Sequence, residues 1–146
     1  MMLRGPGVWR RTLALAVAGA LGFWLTNFAI SLTPLAADYR SALSIPYVPM
    51  LLEALVGGLV IGLGVACPLV LLVDKGTSSP VLMSLTLSGV ALVIVTVVIE
   101  VPAKFLTAMA DPMRYFLIGS LFNVLRILAL GAVVAVLSSR RRSLAT

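Results

Sequence analysis

Histidine is absent from this 146-residue chain, cysteine occurs once, and charged residues make up only 11% of it. Each scarcity closes off some chemistry. Without histidine the commonest metal ligand and the usual general base are missing, so no Ser–His or Cys–His pair can form. The lone Cys67 excludes an internal disulfide. No glycine-rich phosphate loop, HExxH, CxxC or GxSxG motif occurs. No metal, cofactor or catalytic residue is therefore expected, and an enzyme would have to work with carboxylates, tyrosines and hydroxyls.

What is abundant is apolar. Hydrophobic residues are 61% of the chain and the mean hydropathy is +1.15. Soluble domains hold about 45–50% apolar and about 25% charged residues, so a soluble domain is excluded. A disordered segment is excluded too, because disorder needs low hydrophobicity. The expected fold is all-α: a single domain forming a four-helix transmembrane bundle over residues 1–146.

Four runs are long enough to cross about 30 Å of hydrocarbon: about 12–33, 49–73, 80–101 and 112–138. The first begins like a signal peptide but continues through Phe23, Trp24 and Leu25 to Leu32, so a retained span is expected. Ser79-Pro80 and Asp111-Pro112 each offer an N-cap followed by proline at the first helical position. Gly76 suits a C-terminal stop for the second span. Pro68 should kink that span near Gly64, and Pro102 should close the third. Residues 34–49 are expected to be ordered at the interface. Residues 103–111 are expected to form a short interfacial helix with Phe105, Leu106 and Met109 facing lipid.

The net charge of +6 is better read as orientation than as nucleic-acid binding. Arg4, Arg10, Arg11, Lys75, Arg140, Arg141 and Arg142 fall on one side of a four-span chain, against Arg40, Lys104 and Arg114 on the other. That places both termini in the cytoplasm of a bacterial-type inner (plasma) membrane. The expected partners are the lipid bilayer and either a second copy or a larger membrane complex.

Helices in lipid associate through small and polar side chains. Gly57 and Gly64 fall on one face of span two with Glu53, while Gly58 and Gly62 form a GxxxG on the adjacent face, suited to intrachain packing or homodimerisation. Gly89 falls with Thr86, Val93, Thr96 and Glu100 on span three.

The charged side chains inside the spans are the candidate site. Arg126 stands 11 residues beyond Tyr115 and 12 before Ser138, roughly 17 Å from the helix end. Burying it there costs about 2.5–3.5 kcal/mol, which calls for a carboxylate partner or a water-filled cavity. Two carboxylates are available in the outer half, Glu53 and Glu100, and straight helices leave Arg126 roughly 10 Å deeper than Glu53, so either a Glu53 pair or a wet cavity is open. Sorted by depth, Glu100, then Glu53 with Thr96, then Asn27, Asn123 and Arg126 form a polar ladder opening outward. Glu100 and Lys104, beside Pro102, are expected to be solvated at the rim. Binding or transport of a small solute or ion is the leading expectation. The alternatives are a non-catalytic accessory or assembly subunit, and a small membrane enzyme using carboxylates.

Overall fold

The computed structural model describes residues 6–73 and 79–143. Among them there is no strand, and four helical stretches are long and apolar enough to cross a membrane. These are Gly7–Ser31, Tyr47–Val73, Pro80–Phe105 and Pro112–Arg140. The outside of the bundle is as apolar as its interior: Val60, Leu82 and Val98 are each more than 60% exposed. A helix that is hydrophobic all round needs lipid or protein on every side.

The elements in order are α1 (Pro6–Ser31), α2 (Pro34–Ala42), α3 (Tyr47–Val73), α4 (Pro80–Val95), one wide π-helical turn (Thr96–Glu100), α5 (Val101–Phe105) and α6 (Pro112–Ser143). α1 packs between α3 and α6, α6 packs on α4, and α4 returns to α3 over a shorter stretch. The fully buried apolar core, with Val65, Leu69, Ile127, Leu130 and Val134, lies toward the end of the bundle away from α2.

Local chemistry explains most boundaries. Asp111 Oδ1 accepts the Arg114 amide at 3.2 Å and caps α6, with Pro112 at its first position. Pro80 likewise opens α4, but Ser79 makes no side-chain cap bond. Thr33 caps α2 by accepting the Ala36 amide at 3.2 Å. α2 ends with Ile45 N–H on Arg40 O and Ser44 N–H on Ser41 O, the 6→1 and 5→2 pair of a Schellman close. Ser44 holds the left-handed position at φ 53°, where glycine is the usual residue. The Gly76 stop, the 74–79 connection apart from Ser79, Arg4 and the side chains of Arg141 and Arg142 lie outside the described residues.

Two expectations are corrected and one boundary moves by two residues. Pro102 does not close the third span, because helix continues through it to Phe105. The turn before it widens, with Val101 N–H donating to Thr96 O, which accommodates a ring that supplies no N–H. Residues 103–111 form no separate interfacial helix. Helix ends at Phe105, Leu106 is 80% exposed, and Met109 is half-buried. Span two starts at Tyr47, ahead of Pro49, and runs through Pro68 to Val73.

The small-residue seams also differ. Gly58 packs against the Phe23 ring, and a Cβ at Gly62 would sit 2.6 Å from the Ala16 carbonyl oxygen. Both therefore belong to the α1–α3 contact. Gly57, Gly64 and Gly89 pack against no other helix among the described residues, since an added Cβ at each meets nothing within 4 Å. Close approaches occur instead at Gly119 and Gly131 of α6. Ser84 and Ser88 of α4 press on Gly131, and Ser84 Oγ donates to its carbonyl at 2.9 Å.

Candidate functional site

The inward face of α4 runs Ser84, Ser88, Leu92 and Val95. The next inward residue is Glu100, five positions on rather than four, because the π-helical turn adds one residue. Lys104 follows one turn later. The wide turn thus swings two charged side chains into the bundle, where Glu100 is 6% and Lys104 3% exposed. This corrects the expectation that they are solvated rim groups. It also displaces Thr96, which begins the wide turn, is half-buried and lies off the polar cluster.

From Glu100 a continuous network runs inward. Lys104 Nζ lies 3.2 Å from Glu100 Oε2. Asn123 Nδ2 donates to Glu100 Oε1 at 2.9 Å. Asn123 Oδ1 accepts from Arg126 Nη2, and Asn27 Oδ1 accepts from Arg126 Nη1 at 2.8 Å. Arg126 Nε donates to the Phe122 carbonyl at 3.1 Å, and the guanidinium stands 5.4 Å from the centre of the Phe23 ring. Gly119 leaves the space that the Glu100 carboxylate and the Tyr39 hydroxyl occupy.

Arg126 is therefore held by neutral oxygens. It does not pair with Glu53, which lines the same cavity from α3, is exposed, and makes no hydrogen bond or ion pair among the described residues. α3 holds Glu53 on the far wall of an open space rather than against α6. Gly57 and Ala54 line that wall, so Gly57 leaves room instead of making a seam.

α2 covers the site and brings residues that spacing along the spans does not reveal. Tyr39 reaches toward Glu100 Oε2 at 3.5 Å, packs edge-on to Phe122, and carries Lys104 Nζ 5.0 Å from its ring centre. Burial chiefly, with the Glu100 charge, pushes the Tyr39 phenol above its usual 10.0, against the opposing pull of Lys104 and Arg126. Arg40 donates to Ser31 O at 3.1 Å, closing the C-terminus of α1, and stacks over Tyr47. Arg114 to Asp38 at 2.8 Å ties α2 to the start of α6.

Beneath α2 lies a cavity of about 400 Å³. Arg40, Lys104 and Arg126 line it with Glu53 and Glu100, an excess of one positive charge, and most of the remaining lining is apolar. Comparison with known protein families, with curated proteins and with solved structures finds no match.

Proposed function

We propose that this chain is a multi-pass protein of a bacterial-type plasma membrane, with both termini cytoplasmic, that binds a small solute in the α2-covered cavity and passes it across or along the membrane. The orientation rests on the seven Lys and Arg at the terminal end and in the 74–79 connection. With that orientation α2 and the cavity face outward. The observation that carries the reading is Arg126: a guanidinium at membrane depth, lining a cavity, hydrogen-bonded directly to neutral acceptors alone, with the Glu100 carboxylate reached only through Asn123. An arginine at that depth is ordinarily paired with another charge or with backbone carbonyls, and one that also lines a cavity marks a binding or transport site by default.

An accessory-subunit role would draw on a free small-residue seam, and Gly58 and Gly62 are already covered by α1. No reaction is assigned to Glu53 or Glu100. The test is thiol labelling in intact cells of a Cys67→Ala chain carrying Gly57→Cys, where the added side chain meets nothing. A membrane-impermeant maleimide labels this position, while Val93→Cys, on the apolar exterior, stays unlabelled. A folded protein unlabelled at position 57 overturns the reading.

A further inference from the structure

The head of the cavity has more donors than acceptors. A guanidinium carries five N–H groups. Three of Arg126's are used, on Asn27 Oδ1, Asn123 Oδ1 and the Phe122 carbonyl. Asn27, 4% exposed and lining the cavity, has a buried Nδ2 with no acceptor among the described residues. Buried polar groups are normally satisfied, and an unsatisfied one costs about 1–3 kcal/mol. A group that only accepts hydrogen bonds would complete this arrangement, and the one excess positive charge of the lining favours a negative one, as in a carboxylate or phosphate oxygen.

The rest of the cavity sets a second condition. Ile45, Met50, Ile61, Val95 and Ile99 line it, and an inorganic anion would leave these walls uncovered. The space is enclosed by α1, α2 and α6 and bounded on its remaining sides by α3 and the third span, and α3 and α4 touch over a shorter stretch than the α1–α3, α1–α6 and α4–α6 pairs. Ile99, on the α4 side of this gap, is 57% exposed, and Glu53 is exposed on the α3 side. A molecule dissolved in the membrane can therefore reach the space sideways. About 400 Å³ is at the lower end of the usual ligand range of about 300–1,000 Å³. It suits one chain rather than a two-chain lipid.

Resting on the binding role above, we infer that the ligand is a single-chain amphiphile whose oxyanion head sits on Arg126 and Asn27 and whose apolar chain lies between α3 and α4. Arg126 is the charge that selects the head, and the α3 wall around Gly57 accommodates the chain.

The test measures binding of radiolabelled dodecanoate to the purified full chain in uncharged maltoside micelles. Saturable binding of one molecule per chain is expected, with competition by dodecyl phosphate. Dodecanol, acetate and inorganic phosphate should each compete at least tenfold more weakly. Arg126→Gln should weaken binding at least tenfold. Gly57→Phe, which fills the cavity away from the polar network, should weaken it as much while the unfolding temperature holds. Dodecanol competing as well as dodecanoate overturns the anionic head. Acetate or inorganic phosphate competing equally overturns the chain and makes this a site for a free anion. Absence of dodecanoate binding, in a protein whose Gly57→Cys variant is labelled from outside, overturns the ligand class and leaves the solute-binding role standing. Absence of both overturns the two together.

Discussion

Replacing Glu100 by leucine gives the sharpest test of the buried network. The carboxylate accepts from Lys104 and Asn123 and has the Tyr39 hydroxyl within 3.5 Å, and both members of the ion pair are almost fully buried. Removing one partner of such a pair strands the other charge, at a cost of about 3–5 kcal/mol. For a chain of this length each kcal/mol is worth about 2–4 °C in Tm, so Glu100→Leu should lower Tm by about 6–20 °C. The double variant Glu100→Leu, Lys104→Leu behaves differently. Exchanging a buried pair for apolar residues is often neutral or stabilising. What remains is the lost acceptor for Asn123 Nδ2 and the Tyr39 hydroxyl, each about 0.6 kcal/mol for an average hydrogen bond within a membrane. The double variant should therefore recover most of the loss. Thermal unfolding in maltoside micelles, followed by circular dichroism, measures all three proteins. A single-variant shift below about 3 °C, or a double variant as unstable as the single, would refute the burial of this pair.

Four further outcomes are expected. Gly62→Ala places a Cβ against the Ala16 carbonyl, backbone that cannot swing aside, and should cost about 1–3 kcal/mol in the same assay, whereas Gly64→Ala should cost nothing measurable. Ser44→Gly should raise stability by about 1 kcal/mol by relieving a left-handed serine; an unchanged or lower Tm contradicts that strain. Because the Tyr39 phenol is held above 10.0, its stabilisation is complete below about pH 10 and is lost as pH rises toward its folded value. Wild type should then lose more Tm than Tyr39→Phe between about pH 9 and about pH 11, and parallel curves would contradict this. A C-terminal alkaline phosphatase fusion should be inactive and a C-terminal green fluorescent protein fusion bright; the reverse would invert the proposed orientation.

The spans were legible because length and apolarity act locally, and Asp111-Pro112 was legible because a cap acts within three residues. Asn27, Asn123 and Arg126 stood out as polar groups at membrane depth, and they meet in one network. Glu100 and Lys104 were misplaced at the rim because Pro102 was read as the end of the span. The stripe carried from Thr86 through Gly89, Val93 and Thr96 does reach Glu100, yet Val93 is exposed and Gly89 open. The true face starts at Ser84, and one π-helical turn beside Pro102 shifts its register by a residue. Tyr39 was hidden because α2 folds back over the site, a tertiary event with no periodic trace. Gly57, Gly64 and Gly89 were read as seams because a missing side chain serves close packing and open space alike. Only the opposing helix decides between them.

On the proposed function, Arg126 faces a water-reachable cavity open on one side of the membrane. The most direct measurement compares maleimide labelling rates at Gly57→Cys in intact cells and in inverted membrane vesicles, with Val93→Cys as the lipid-facing reference. Labelling from the outer face that exceeds both the inner-face rate and the Val93→Cys rate at least tenfold is predicted. Equal rates from both faces, or a rate no higher than the lipid-facing reference in a folded protein, would contradict it.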